Sequence, residues 1–416
     1  MIEKKEKRIL ISNFKSLSLL QVANYILPLI TIPYLIRVIG IEKFGLLAFV
    51  AALVLFFQNI IEYGFNLTAT KDVSCNRDNL DELNKIVNSI IQTKIILFII
   101  SFFILSLVVF SFEKFRVDWT LYYFTFMIML GELLFPVWFF QGIEKMHYIV
   151  KLTVVSRVLY ALSIFIFINS VEDYIYVPIL NSLSFILLGM MSIYILHKDF
   201  SIQFKLQTFE DIFKALKDGW HIFLSKTAVY LYTSVNILLL GFFFNNQIVG
   251  YYSVAEKVIN VLLRVPQVIN QTIYPYLAKL KNTKNSNFDK NITLFLFLLV
   301  FLMSIFTFIV HFFSQEIIAI VSGKEIIESI KLLNILVFTL ILIPLGGFFT
   351  QYFVMINQSK VVTKVTLYTV LFNFSVFFPF IHFFDFYGIG YTIVCTQIFQ
   401  LIINLVFKYK GTNNVK

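Results

Sequence analysis

Six polar residues in the segment YYSVAEKVINVLLRVPQVINQTIYPYL (251–277) stand at helical spacing. They are Ser253, Lys257, Asn260, Arg264, Gln267 and Gln271, separated by 4, 3, 4, 3 and 4 positions. At 100° per residue all six fall within about 80° of one helix face, and the opposite positions are Val, Ile and Leu. A row of amides with two cations is chemistry for holding an anion: arginine offers phosphate oxygens a bidentate fork and lysine a point charge. Arg264 lies roughly 20 Å from either end of its apolar segment by helix rise, too far to snorkel. A charge facing lipid at that depth costs about 2.5–3.5 kcal/mol on insertion scales. The stripe therefore faces a water-filled cavity or a protein partner. In the second case the partner is an ion pair inside the bundle, of the Arg264–Glu132 or Lys257–Glu256 type.

Weaker versions of the pattern occur elsewhere. His221, Ser225, Tyr232 and Asn236 share a face of one apolar segment, which also carries Lys226. Gln21, Asn24, Pro28 and Thr31, spaced 3, 4 and 3, share a face of another. Pro28 and Pro33 free the carbonyls of Asn24 and Leu29, which membranes tolerate where the backbone lines water or is buried in protein. The two prolines read either as a bending element or as a static kink. Within the apolar segments the acids are Glu62, Glu132 and Glu256, the candidates for ion coupling. The bases are Lys94, Arg157, Lys226, Lys257 and Arg264. Surplus positive charge suits an anionic substrate rather than a cationic one. Candidates for the cavity lining are Arg264, Lys257, Asn260, Gln267, Gln271, Gln21, Asn24, Lys226 and Asn236, with Arg157 as the cation facing Arg264.

The elements that must position these residues are membrane helices. The chain has 416 residues, 59% apolar and 14% charged, against about 25% charged in soluble domains. Twelve apolar segments have spanning length: 16–36, 45–64, 87–112, 119–140, 148–168, 175–196, 220–244, 249–277, 291–313, 330–353, 361–384 and 386–407. With the N-terminus in the cytoplasm, the inner segments hold 23 Lys and Arg and the outer segments six. The positive-inside rule then places both termini in the cytoplasm. The same bias accounts for most of the +10 net charge without a nucleic-acid partner. MIEKKEKRIL is followed by a full span with no small-residue cleavage site, which reads as a first span and not as a signal peptide.

Segment 197–219 is the longest on the cytoplasmic side. Phe209, Ile212, Phe213 and Leu216 fall on one helical face, and Thr208 with Asp211 resembles a capping box. It reads as a helix in the membrane interface that joins an N-terminal bundle, 1–196, to a C-terminal bundle, 220–416. FGLLAFVAAL (44–53) aligns with VGYYSVAEKV (249–258), which favours a duplication with substrate sites between halves. The expected fold is all-α and polytopic, about 12 helices in two six-helix bundles around a central cationic cavity.

Chemistry that would need a cofactor is missing from the sequence. SGKE (322–325) lacks the first glycine and the Ser/Thr of a nucleotide loop, and GIG (388–390) is no dinucleotide fingerprint. Cys75 and Cys395 imply neither a disulfide framework nor a metal site. Neither a cofactor nor a catalytic residue is expected.

NYILPLITIPYLIRVIGIEKFGLLAF (24–49) and IEYGFNLTATKDVSCNRD (61–78) resemble the Wzx-type flippases of lipid-linked oligosaccharides, in the multidrug/oligosaccharidyl-lipid/polysaccharide exporter superfamily. The match is closest over the first 80 residues. The resemblance implies transport of an undecaprenyl-pyrophosphate-linked O-antigen or capsule unit across a bacterial inner membrane by alternating access. It also implies a polysaccharide polymerase and a chain-length regulator as partners. Two other classes stay open: a multidrug antiporter of the same superfamily, which predicts acids dominating the cavity, and a membrane polysaccharide polymerase, which predicts a large outer loop.

Overall fold

The computed structural model describes residues 2–282, 288–356 and 358–413. The side chains of 2–25, of Gln271 and of some positions near residues 232, 275 and 410 lie outside the described set. Every described element is a helix. Eight stretches among the described residues are long and apolar enough to cross a membrane, nine if the bent pair Phe209–Leu231 and Val235–Phe243 is one span. Two of the eight, Ile26–Cys75 and Lys360–Tyr409, run 50 residues each, far beyond the ~20 that a bilayer core requires. The segment expected as the eighth span is instead two helices, Asn246–Leu262 and Arg264–Asn282. Neither is in that set. The first is only 17 residues long, and the second carries Arg264, Gln267 and Gln271 of the polar stripe. Length and apolarity alone therefore give fewer than the expected twelve.

The first helix, Ile2–Glu62, stays helical through Pro28 and Pro33. The only residue inside it with non-helical dihedrals is Gly40, at φ 78° and ψ 167°. That region of backbone space is essentially restricted to glycine. The expected first and second spans thus meet in one glycine break, and the prolines do not interrupt the helix.

The chain divides into two compact units, Met1–Thr227 and Ala228–Lys416. In the first, helices Ile128–Leu133 and Tyr176–Phe200 cross at Gly131 and Gly189. A Cβ on Gly131 would stand 2.3 Å from the Phe185 carbonyl carbon, and one on Gly189 2.7 Å from the Gly131 oxygen. Small residues permit this close backbone approach where no hydrophobic force draws helices together.

The linker departs from the expected interfacial helix. Tyr176–Phe200 ends on Ser201 in the left-handed conformation, residues 202–208 lie outside any helix and present every second peptide to one side, and a new helix, Phe209–Thr233, begins. This stretch lies along helix Leu80–Ser111, which presents Asn84, Asn88 and Gln92 at intervals of four. Gln203 N donates to Asn84 Oδ1 (2.7 Å) and its carbonyl accepts from Asn88 Nδ2 (2.8 Å). Lys205 N donates to Asn88 Oδ1 (3.2 Å) and its carbonyl accepts from Gln92 Nε2 (2.8 Å). Gln207 N donates to Gln92 Oε1 (3.0 Å). Side-chain amides here replace the second strand of a ladder and satisfy the backbone of a segment that has no sheet. Lys85 pairs with Asp211 at 2.8 Å, and Thr208 Oγ1 accepts from Asp211 N (3.3 Å). Farther along, Phe223 stacks on Tyr63 at 4.6 Å, and Gly219 packs against Tyr63. Phe204, Leu206, Phe209 and Phe213 remain exposed.

In the second unit Phe295, Phe348, Phe349, Tyr352 and Phe353 form a buried aromatic core. Thr392, Thr396, Gln400 and Asn404 are a buried polar row on helix Gly388–Asn413. Asn373 Nδ2 donates to Thr396 Oγ1 (3.1 Å).

Candidate functional site

In the second unit the helix bearing the polar stripe breaks at Leu263, three residues before Pro266. The proline lies in the first turn of Arg264–Asn282, where its missing N–H costs no intrahelical bond. Just beyond the break the stripe lines a cavity of about 380 Å³. Asn260, Arg264 and Gln267 form one wall; Pro344, Gly347 and Gln351 of helix Thr339–Met355 form the other. All three stripe residues there are exposed, and Arg264 Nη1 donates to Gln267 Oε1 (3.1 Å). Asn270, 4% exposed, closes the floor. Its Nδ2 donates to the Pro344 carbonyl (3.0 Å), while its Oδ1 has no partner among the described residues. A guanidinium among amides, opposite a glycine that adds no side chain, is a donor-rich recess against Thr339–Met355, part of a stretch long and apolar enough to cross a membrane.

The stripe does not stay together. Ser253 is fully buried, on a helix covered by Ile327–Leu336, whose Ser329 Oγ donates to the Tyr251 carbonyl (3.0 Å). Lys257 is half-buried. Glu256 is half-buried too, within 3.5 Å of Tyr252 Oη, which donates to it. Asn236 is buried in helix Val235–Phe243. The side chains of Gln21, Asn24 and Gln271 lie outside the described residues.

The first unit holds a separate polar cluster. Glu132 Oε1 accepts from Gln58 Nε2 (2.7 Å). One turn along, Glu62 pairs with Lys226 at 3.9 Å, and Asn59 Nδ2 donates to Thr227 Oγ1 (2.7 Å). Lys94, 4% exposed, has Glu62, Glu132 and Lys226 as charged neighbours. Arg157 has Glu132 as its charged neighbour, and its guanidinium lies 5.5 Å from the Phe185 ring centre. Two acids and three bases meet here, so this cluster mixes both signs of charge, whereas the lining of the cavity at Arg264 has a cation and no acid among the described residues. Gln58, Asn59, Asn270 and Gln351 were not among the expected site residues. Gln58 and Glu62 do stand four apart on one helix face, which was a readable signal. For Asn270 and Gln351 the partner helix had to be seen.

A sequence profile described as "Polysaccharide biosynthesis protein" matches residues 10–281. The chain is 27% identical over 395 residues to the "Putative O-antigen transporter" of Escherichia coli strain K12, covering 94% of each chain. It is 26% identical over 398 residues to the protein of the same name from Shigella dysenteriae, covering 94% of this chain and 98% of that one. Among solved structures it resembles an inward-facing multidrug resistance MATE family transporter of the MOP superfamily, with a TM-score of 0.72, 13% identity and 94% of each chain covered. It resembles equally the lipid II flippase MurJ in an inward closed conformation, with a TM-score of 0.72, 16% identity, and 94% and 87% covered. At these identities the two likenesses concern the fold: a polytopic all-helical transporter fold.

Proposed function

The chain belongs to the polysaccharide biosynthesis protein family, and from that premise we propose that it is a flippase for undecaprenyl-pyrophosphate-linked oligosaccharide, an O-antigen or capsule unit, in a bacterial inner membrane. The observation that carries this reading is the recess at Arg264. A polyprenyl tail remains in lipid while its pyrophosphate and sugars cross, and an anion taken out of water without partners costs many kcal/mol. Arg264 offers a bidentate fork to the phosphoryl oxygens. Asn260, Gln267 and Gln351 offer neutral donors and acceptors that suit hydroxyls as well as phosphate. Lys257, two helical turns away, supplies a second cation for passing the head along. The relatives named above carry transporter names, and alternating access with both termini in the cytoplasm completes the reading. The mixed-charge cluster at Glu62, Lys94, Glu132, Arg157 and Lys226 is suited to carry a coupling ion rather than the anionic substrate.

The test is reconstitution. Purified protein in liposomes is given a fluorescent undecaprenyl-pyrophosphate-linked oligosaccharide, and its arrival in the opposite leaflet is followed by a membrane-impermeant quencher. Protein-dependent transfer is expected. Transfer no faster than in protein-free liposomes, with correctly inserted protein and an imposed ion gradient of either sign, ends the proposal.

A further inference from the structure

A second cavity, of about 400 Å³, opens in the second unit beside the short turn Asp385–Tyr387. It brings together Lys331 and Asn334 of helix Ile327–Leu336 with the aromatic rings of Phe384, Tyr387 and Tyr391. The sequence makes this corner with a short turn, Asp385–Tyr387, between the last two long helices. Gly390 lets those helices close on Ile335, which would stand 2.9 Å from a Cβ there. The rings are held at fixed angles: Phe384 and Tyr391 lie 4.8 Å apart and tilted by 50°. Lys331 Nζ stands 5.7 Å from the centre of the Tyr387 ring.

Resting on the flippase reading, we propose that this cavity is a sugar subsite, which takes a neutral pyranose ring of the glycan while its pyrophosphate occupies the recess at Arg264. Three features choose a sugar over a lipid phosphate. First, aromatic faces give a flat apolar platform for the C–H face of a ring, and tyrosines add hydroxyls at its edge. Second, the charges do not single out an anion: Tyr387, which carries Lys331 over its ring, also has the acids Glu328 and Asp385 as charged neighbours. Third, Asn334 Oδ1 is buried with no partner among the described residues, an acceptor left for a hydroxyl donor. A belt of interfacial aromatics accounts for exposed rings, but not for an amide and an ammonium on the facing wall. Asn334 precedes Pro344 of the Arg264 recess by ten residues, at most ~15 Å of helix rise. Both sites therefore draw lining residues from one stretch of chain.

The experiment measures binding to the full-length protein in nanodiscs with two probes, bare undecaprenyl pyrophosphate and the same lipid bearing an oligosaccharide. Wild type should bind the glycosylated probe more tightly. Tyr391→Ala should weaken that binding roughly three- to tenfold, the size of one lost aromatic contact, and leave the bare lipid unchanged; Tyr391→Phe should restore most of the difference. Unaltered binding of the glycosylated probe by Tyr391→Ala overturns the sugar subsite. An equal loss for both probes overturns it too, because the cavity then serves the lipid phosphate or the fold. Equal wild-type affinity for the two probes overturns the subsite and leaves the flippase reading standing. Wild type that binds neither probe overturns the flippase reading, and the subsite with it.

Discussion

Arg264 is the residue on which a phosphate-carrying cavity depends most directly. Its truncation removes the one bidentate fork among the described residues of the recess, and losing one partner of a close charge pair costs about 2–5 kcal/mol. Arg264→Ala should therefore cut oligosaccharide transfer in liposomes at least tenfold, and Arg264→Lys should keep part of it. Arg264→Glu should be inactive although normally inserted; full activity of that variant would end the role assigned to the stripe. In the first unit, Glu132→Gln keeps an oxygen for Gln58 to donate to and removes only the charge. Its transfer rate should lose its response to an imposed proton gradient, while affinity for the lipid-linked substrate stays at the wild-type value. Retention of the gradient response in Glu132→Gln would move the coupling role elsewhere. Periodicity made the stripe legible because a helix has 3.6 residues per turn. It could not say what covers each turn, so Ser253 was grouped with Asn260 although a neighbouring helix buries it. Asn270 stands about 100° off the stripe's centre and is joined to the recess by its hydrogen bond to the Pro344 carbonyl of the facing helix.

Two glycines decide how the elements are joined and crossed. Gly40 turns one 61-residue helix into two crossings, and Gly131 lets two helices touch backbone to backbone. Gly40→Ala forces a side chain into a strained backbone region at a cost of order 1–3 kcal/mol, with nothing within 4 Å to obstruct it. Gly131→Ala has an ordinary backbone but drives a methyl into the Phe185 carbonyl, so the helix pair must separate. Both should melt at lower temperature in detergent. Gly131→Ala should fall further than Gly40→Ala, because the atoms its methyl meets are the Phe185–Ile186 backbone, which no side-chain truncation removes. Equal melting of both variants and wild type would remove the roles assigned to these glycines. Proline drew attention in the sequence because it removes a donor, yet the helix absorbs Pro28 and Pro33 and breaks at the glycine. The linker was misread for a similar reason. Its helical face at 209–216 was legible, but SIQFKLQ alternates apolar and polar residues with the period of a strand, and that signal was outweighed by the expectation of helix.

At the scale of the molecule, composition alone identifies a polytopic membrane protein, and the charge bias of its loops predicts a direction for it. Native Cys75 is exposed and falls on the side richer in lysine and arginine. In intact cells a membrane-impermeant maleimide should not reach it until the membrane is permeabilised. In a Cys75→Ser background, Asn246→Cys should label without permeabilisation. The opposite pattern would invert the topology. The division into units was less legible. Equal numbers of apolar segments suggested a boundary after 219, whereas Met1–Thr227 keeps most of helix Phe209–Thr233, because Tyr63, Lys85 and the amides of one helix hold it. Those amides also set a unit of length. Four helical residues advance ~6.0 Å and two extended residues ~6.6 Å, so Asn84, Asn88 and Gln92 act as a rack whose teeth match every second peptide of the linker. A tether that merely spans a gap tolerates any change of length that still reaches. A toothed one counts residues. One alanine inserted between Gln203 and Phe204 turns the later peptides away from their amides and should lower the melting temperature of the purified protein. The same insertion made beyond residue 411 should leave it unchanged.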